Sequence, residues 1–319
     1  MRLDRRSLMA GTALLAAYGH SRATAATPAR EWARTSSLDP SETIQLWPGG
    51  APGNLDPQRR ERIVERGGDP EFRDRAISGI TAARVLVFRP QRHNGGAIVI
   101  IPGGGYRHIV IDKEGLETAQ LATEQGLTAF VLFHRLPAEG WTEPADVAWR
   151  DAQQAMRLVR RNAARFRIDP DRIAMIGFSA GGHIAAEATL REPAPASIPT
   201  CTALIYPVVS MQAPIAHEGS RALLLGDAPS AETEIAHSPN RNVSADAPPF
   251  FLLHAEDDRA VSAQNTVVMR DALKAQDVSV ETHLLATGGH GFGMRAPLGE
   301  DAPLWPRMWL SWLQARGVA

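Results

Sequence analysis

One short stretch of the chain combines a hydroxyl nucleophile with the glycines that a sharp turn requires: residues 177–181, Gly-Phe-Ser-Ala-Gly. The apolar run 172–176 precedes it and the helix-forming run 182–188 follows, which predicts Ser179 at the tip of a strand-to-helix turn. The backbone comes so close in such a turn that side chains at the flanking positions would clash. The same five residues could also form an ordinary glycine-rich turn. Residues elsewhere in the chain must decide between the two interpretations.

A serine hydroxyl is a poor nucleophile at neutral pH and needs a general base, which an acid orients. In sheets with this kind of turn the partners follow in the order serine, acid, histidine. Two histidines follow residue 258. His283 falls in the alternating run 278–285 and is predicted on a strand face, whereas His290 lies in a glycine-rich loop beyond that strand. His290 is therefore the predicted base.

The acid is predicted directly after the apolar run 250–254, where Glu256, Asp257 and Asp258 stand in a row. The residue types alone leave the choice among the three open. A metal site is the competing interpretation, with His254 nearby. No second set of ligands with metal spacing occurs elsewhere in the sequence, so neither a metal nor another cofactor is predicted.

Residues 102–106, Pro-Gly-Gly-Gly-Tyr, follow the apolar run 97–101, and their three glycines expose backbone N–H groups without side-chain cover. One of these N–H groups, together with that of Ala180, would make a two-donor oxyanion hole. Tyr106 and His108 are predicted to line the substrate pocket, with a surface position as the alternative. Trp141 could stack on a sugar ring, or pack at the edge of the sheet. His183 is predicted to pack beneath the turn.

Short apolar strands alternate with amphipathic helices from about residue 80 onward. The strands are predicted at 83–88, 97–101, 128–133, 172–176, 201–206, 249–254 and 278–285, and the main helices at 114–124, 146–166, 182–188, 263–275 and 302–314. This alternation predicts an α/β fold with a mostly parallel central sheet and helices on both faces. Each predicted catalytic residue follows a strand, at the sheet edge where such folds bind ligands.

Three segments lie outside this alternation. Residues 26–80 are predicted to wrap the core of a catalytic domain at 81–319, with the charged part 58–75 as a solvated surface segment. Residues 207–248 are predicted to form a small lid or pocket wall. Residues 1–25 carry paired arginines, an apolar run and a small-x-small motif, which predicts a cleaved twin-arginine signal and export to the periplasm or medium. The apolar run is shorter than the ~20 residues of a membrane span, so none is predicted in the mature protein.

The bulk properties narrow the range of partners. The chain has 319 residues and a formal net charge of −1, which gives no basic footprint for nucleic acid and suits a neutral or weakly charged substrate. Cys201 is the single cysteine, so no intramolecular disulfide can form, and it is predicted as a small apolar residue in a buried strand. No oligomeric state is predicted.

From Leu46 to the C-terminus the chain resembles the α/β-hydrolases of the bacterial acetyl-xylan esterase and feruloyl-esterase-like carbohydrate-esterase group. Five motifs carry the resemblance: Leu-Trp-Pro-x-Gly-Ala-Pro-Gly at 46–53, Ile-Ile-Pro-Gly-Gly-Gly-Tyr at 100–106, Asp-Pro-Asp-Arg-Ile at 169–173 leading to the turn at 177–183, His-Ala-x-x-Asp-x-x-Val at 254–261, and Gly-His-Gly-Phe at 289–292. Pro102 stands where lipase-type relatives have histidine. Ser262 departs from the proline usual in the family.

The resemblance implies an α/β-hydrolase fold and hydrolysis of an ester, often acetyl, on a plant polysaccharide or its fragments. It implies Asp258 as the acid of a Ser179–His290–Asp258 triad, and an oxyanion held by Ala180 with Gly104 or Gly105. A general short-chain carboxylesterase is the alternative. A prolyl-oligopeptidase-like peptidase would need a larger additional domain than 26–80 provides, and a non-catalytic binding protein would usually lack a triad residue.

Overall fold

The computed structural model describes residues 39–53, 58–69, 72–191, 193–295 and 304–319. The predicted signal segment 1–25 lies outside the described residues. The described residues form eleven strands: β1 (Glu42–Gln45), β2 (Arg62–Glu65), β3 (Arg75–Ser78), β4 (Arg84–Phe88), β5 (Ala97–Ile101), β6 (Ile109–Val110), β7 (Thr128–Phe133), β8 (Ile173–Phe178), β9 (Thr202–Ile205), β10 (Phe250–Ala255) and β11 (Val280–Leu285).

Eight of the strands form one sheet in the order β1-β4-β7-β5-β8-β9-β10-β11. The pairs β1–β4 and β4–β7 are antiparallel, and all pairs from β7 to β11 are parallel. Strands β5, β7, β8, β9 and β10 are buried along their whole length, as expected for parallel strands covered on both faces. The predicted α/β fold with a mostly parallel sheet is confirmed.

The described residues also form eight α-helices: α1 (Glu117–Glu124), α2 (Val147–Arg161), α3 (Ala163–Phe166), α4 (Ala180–Leu190), α5 (Glu218–Leu225), α6 (Ala231–Ala236), α7 (Gln264–Ala275) and α8 (Trp305–Ala315). The helix predicted over 146–166 is divided at Asn162. Its backbone leaves the helical region (φ −105°, ψ 18°), and its side-chain amide donates to the Leu158 carbonyl at 2.7 Å. Asparagine side chains compete with helical backbone bonds in this way.

Residues upstream of 81 contribute more regular structure than the sequence predicts. Strand β1 pairs with β4 at the edge of the main sheet, while β2, β3 and β6 form a second, antiparallel sheet. All four residues of β2 are exposed, so burial leaves no alternating pattern in this charged segment. The domain boundaries at residues 26, 81, 207 and 248 stay predictions. The segment 207–248 contains α5 and α6 and connects β9 to β10.

The core consists of two apolar clusters, one on each face of the main sheet. Alternate residues of β10 divide between them, with Phe250 and Leu252 in one cluster and Phe251 and Leu253 in the other, as the period of two in a strand requires. Cys201 is fully buried in the second cluster, and burial raises the pKa of its thiol to about 12.

Among the described residues, none of the helices is both long and apolar enough to cross a membrane.

Candidate active site

Ser179 occupies the turn between β8 and α4. Its backbone has φ 53° and ψ −121°, a conformation that residues other than glycine rarely adopt. The two flanking glycines are sterically required. A Cβ on Gly177 would lie 2.2 Å from the Gly181 carbonyl oxygen, and one on Gly181 would lie 2.2 Å from the Ile101 carbonyl oxygen. The turn therefore holds the serine at the N-terminus of α4, whose dipole favours negative charge there.

The structure brings Ser179, His290 and Asp258 into one chain of hydrogen bonds. Ser179 Oγ lies 2.9 Å from His290 Nε2, and His290 Nδ1 lies 2.7 Å from Asp258 Oδ2. The three side chains come from the carboxyl ends of β8, β11 and β10. The Asp258 side chain is fully buried, whereas His290 keeps 22% of its side-chain surface exposed toward solvent. This arrangement permits proton transfer from serine to histidine with the histidine tautomer fixed.

Asp258 is held in its ionised form by its hydrogen-bond donors. Burial raises the pKa of its carboxyl group, but hydrogen bonds from His254 and His290 outweigh burial and leave the pKa well below the ordinary value. His254 Nε2 lies 3.1 Å from Oδ2, and the backbone N–H groups of Ala260 and Val261 donate to Oδ1 at 2.8 and 2.9 Å. A stable carboxylate can balance positive charge on His290.

The two neighbouring acids are arranged differently. Glu256 and Asp257 are both exposed, and Asp257 accepts the backbone N–H of Gly289 at 2.8 Å. Asp257 therefore supports the loop that carries His290, and Asp258 contacts the imidazole itself. His254 is a contributor that the sequence suggested only as a possible metal ligand. Its position in the motif at 254–261 was the available signal. Within the described residues no group of three or more metal-ligating side chains is placed to hold an ion.

The glycine loop, residues 102–106, lies against the turn at Ser179. A Cβ on Gly103 would be 2.9 Å from the Cβ of Ser179, and the Gly103 N–H donates to Glu114 Oε2 at 2.7 Å. The N–H groups of Gly104, Gly105 and Ala180 make no hydrogen bond within the described part of the chain. Gly103 is therefore already engaged, and Gly104, Gly105 and Ala180 keep donors free for an oxyanion.

The residues predicted to line the pocket differ in exposure. Tyr106 is 2% exposed and its hydroxyl lies 2.7 Å from His183 Nδ1, and Trp141 is 6% exposed beneath the Arg135 guanidinium. Both side chains contribute mainly to packing in this structure. His108 is half-buried beside Gly104, and burial together with Arg66 lowers the pKa of its imidazole. The assignment of these three residues to the pocket stays a prediction.

His183 lies beneath the turn, as its position in the sequence suggested. It is fully buried, with Nε2 2.8 Å from the His237 carbonyl oxygen and Nδ1 near the Tyr106 hydroxyl. These contacts fit a neutral imidazole with its proton on Nε2. Burial lowers the pKa of His183 and favours that neutral form.

A cavity of about 400 Å³ lies beside Asp258, between residues 214–217 of the insertion and the segment 256–264. Its polar lining includes His217, Arg259 and Gln264. His217 Nδ1 accepts the backbone N–H of Ser220 at 3.2 Å and caps α5, so the neutral imidazole carries its proton on Nε2. Burial lowers the pKa of His217, and nearby His290 lowers it further. No motif in the sequence marks this residue.

The strand order and the serine turn that follows β8 define the class: this is an α/β-hydrolase. A family model described as alpha/beta hydrolase fold matches residues 98–294, more than half of the chain, and the chain belongs to that family. The predicted fold class is thereby confirmed.

The relatives refine the comparison. The chain is 31% identical over 215 residues to an acetylxylan esterase from Xylanibacter ruminicola, covering 66% of this chain and 44% of the relative. It is 28% identical over 204 residues to endo-1,4-beta-xylanase B from Butyrivibrio fibrisolvens, covering 61% of this chain and 32% of that protein. The chain thus spans less than half the length of these two relatives. The predicted resemblance to acetyl-xylan esterases is confirmed.

Solved structures agree with this likeness. An acetyl ester-xyloside bifunctional hydrolase from Caldicellulosiruptor lactoaceticus superposes with a TM-score of 0.69 at 28% identity, covering 89% of this chain and 99% of the other. A carboxylesterase from Lactobacillus plantarum shares the fold, with a TM-score of 0.64 at 20% identity over 82% of this chain and 98% of the other.

Proposed function

We propose that this protein is an exported serine esterase that removes acyl groups, acetyl above all, from xylan or related carbohydrates. The observation that carries the proposal is the hydrogen-bonded chain from Ser179 Oγ through His290 to buried Asp258. The likeness to an acetylxylan esterase and to an acetyl ester-xyloside hydrolase supports the acetyl-carbohydrate substrate. Export follows from the predicted twin-arginine signal in residues 1–25.

In the proposed reaction Ser179 Oγ attacks the ester carbonyl carbon while His290 Nε2 takes the hydroxyl proton. The carbonyl oxygen becomes an oxyanion, which accepts hydrogen bonds from Ala180 and from Gly104 or Gly105. Each such donor is worth about 3 kcal/mol in the transition state. The tetrahedral intermediate collapses, the C–O bond breaks, and His290 protonates the departing alcohol. The acyl group is now on Ser179.

The second half of the reaction regenerates the enzyme. His290 takes a proton from water as the resulting hydroxide attacks the acyl carbon. The new intermediate collapses with cleavage of the bond between the acyl carbon and Ser179 Oγ, which releases the carboxylic acid, and His290 returns the proton to Ser179 Oγ. The low pKa of Asp258 keeps it ionised throughout, so its charge stabilises the imidazolium in both halves. No group outside the chain is required besides substrate and water.

The alcohol part of the substrate distinguishes this proposal from the alternative, a general short-chain carboxylesterase. The polar cavity beside Asp258, with the Nε2–H of His217 as a donor, suits the hydroxyl groups of a sugar. Its volume of about 400 Å³ falls within the range of about 300–1,000 Å³ typical of ligand sites. A neutral sugar ester also suits a chain with a net charge of −1.

The first experiment compares release of acetate from acetylated xylan with hydrolysis of short aryl esters and of peptide amides. We expect the enzyme to hydrolyse acetylated xylan and aryl esters and not to hydrolyse peptide amides. Turnover of aryl esters alone would leave the general carboxylesterase, and turnover of amides would favour a peptidase.

The matched variant is Ser179→Ala, which should reduce kcat by a factor of at least ~10³ while the thermal unfolding midpoint stays close to that of the parent chain. Substantial esterase activity in a folded Ser179→Ala protein would refute the acyl-enzyme mechanism.

A further inference from the structure

Two loops converge on Ser179 from separate parts of the chain, and both are linked to the same buried carboxylate, one directly and the other through a tyrosine. The glycine loop bonds to Glu114 through the Gly103 N–H, which donates to Oε2 at 2.7 Å. The histidine loop, residues 286–294, bonds to Glu114 through a single bridging side chain, Tyr206. The Tyr206 hydroxyl donates to Glu114 Oε1 at 3.0 Å and accepts the Gly293 N–H at 2.8 Å.

Glu114 lies in a π-helical turn, Asp112–Leu116, that directly precedes α1. Such turns are rare and are often found at functional sites. The histidine loop rests on this turn: the Met294 N–H donates to the Lys113 carbonyl at 3.0 Å. A Cβ on Gly293 would lie 2.5 Å from the same carbonyl oxygen. Only glycine fits at position 293, so the spacing between loop and turn is fixed.

Tyr206 also contacts the imidazole that the proposed mechanism uses. It follows β9, with a positive φ of 39°, and is fully buried. Its ring meets the His290 ring edge to face, with the centroids 5.0 Å apart at 63°. The hydroxyl bonds therefore hold the backbone of the histidine loop, and the ring limits rotation of the imidazole.

The hydrogen bond between Tyr206 and Glu114 does not depend on the protonation state of Glu114. Burial raises the pKa of Tyr206 well above its ordinary value, so the phenol keeps its proton. Burial also raises the pKa of Glu114. A carboxyl group keeps an acceptor oxygen when it is protonated, so Glu114 and the Tyr206 hydroxyl can stay hydrogen-bonded in either form.

We infer that Glu114 and Tyr206 are positioning residues for the triad, a clasp that sets the distance between the oxyanion donors and the base. The inference rests on the proposed serine mechanism. The glycine loop supplies the oxyanion donors and the histidine loop supplies His290, and Ser179 lies between them. A displacement of about 1 Å at such a site can lower the rate by a factor of ~10². The clasp should therefore act on kcat and leave substrate binding largely unchanged.

The test is a double-mutant cycle on a short aryl ester. Tyr206→Phe removes only the hydroxyl, and Glu114→Leu removes the carboxylate. Each should reduce kcat by roughly 10- to 100-fold with KM changed by less than about threefold. Because both act through one connection, the double variant should be no slower than the slower single variant. Glu114→Gln, which still accepts from Gly103, should recover most of the activity.

Glu139→Leu is the matched control, since Glu139 is also a buried carboxylate that accepts backbone N–H groups, those of Gly79 and Ile80. Its melting temperature should fall, while kcat stays within about threefold of the parent value. Multiplicative losses in the double variant, or an equal kcat loss in Glu139→Leu, would overturn the clasp. If Glu114→Leu does not fold, an unchanged kcat in Tyr206→Phe overturns it. Failure of the proposed function has a separate signature, an active Ser179→Ala variant.

Discussion

Asp258 joins three elements of the site through two oxygen atoms. Oδ2 faces both His254 and His290, and Oδ1 accepts two backbone N–H groups of its own turn. The two oxygen atoms thus accept four hydrogen bonds. The residue consequently does more than hold a charge, because it also selects the histidine tautomer that can accept a proton from serine.

Asp258→Asn should lower kcat by about 10³- to 10⁴-fold with little loss of folding. The amide would present an N–H to His290 Nδ1 and favour the tautomer whose Nε2 already carries a proton. Asp257→Asn, its neighbour, should stay within about tenfold, because it supports only the Gly289 N–H. Steady-state kinetics on an aryl ester measures kcat for both variants and shows which aspartate is the acid. A larger loss for Asp257→Asn would show that the acid is wrongly assigned.

The same carboxyl group predicts a pH dependence of stability. Its pKa is depressed in the folded protein, so its contribution is fully present above the ordinary carboxyl pKa of about 4 and is lost as pH falls below that value. The free energy of unfolding should therefore decline more steeply as pH falls from about 4 to about 2 in the parent chain than in Asp258→Asn. Urea titrations across that range measure the difference. Parallel pH profiles for the two proteins would contradict the depressed pKa.

At the scale of elements, the junction of β5, β8 and α4 decides where Ser179 sits. The backbone of Gly181 approaches the last residue of β5 so closely that no side chain fits between them. Helix α4 can therefore start directly beneath the sheet edge. The position of Ser179 therefore depends on this contact between helix and strand as much as on the five residues of the turn.

Gly181→Ala should destabilise the protein by about 1–3 kcal/mol, because the added Cβ would lie 2.2 Å from the Ile101 carbonyl oxygen and force the helix outward. Esterase activity should fall with it as Ser179 moves. Gly68→Ala is the control, since a Cβ there meets nothing within 4 Å. Thermal unfolding and kcat are the measurements. A Gly181→Ala protein as stable and active as the Gly68→Ala protein would contradict the close packing.

The sequence predicts the buried strands well and the exposed ones poorly, for a physical reason. Strands β5 and β7 coincide with the predicted 97–101 and 128–133, because continuous apolar runs bounded by turns mark fully buried strands. Strand β2 is exposed along its length and is held by backbone pairing with β3, which leaves no pattern of side chains.

Some residues of the site can be predicted from the sequence and others cannot. Ser179 and His290 stand in local glycine-rich motifs that identify them as candidates. Asp257 and Asp258 differ only in the direction that the turn gives each side chain, which residue types do not encode. Tyr206 and Glu114 are 92 residues apart, and only the folded sheet brings them together.

At the scale of the whole molecule, the first strand among the described residues, β1, starts at Glu42, beyond the predicted signal segment. A chain without residues 1–25 should therefore keep the melting temperature and kcat/KM of the longer form.

In the full chain, replacing Arg5 and Arg6 by lysine should retain the enzyme in the cytoplasm if the twin-arginine route is used. Cell fractionation followed by an ester assay measures this. Undiminished export of the lysine variant would refute that route.

Cys201 gives the molecule a practical property. It is the single cysteine in 319 residues, it is fully buried, and burial raises the pKa of its thiol to about 12. Thiol reagents require an accessible thiolate, so the native chain should be inert toward maleimides and iodoacetamides at neutral pH. A cysteine introduced on the exposed side of α5 or α6 would then be the sole attachment point for a spin label or fluorophore. Movement of the segment 207–248 during turnover could be followed without first removing any native residue.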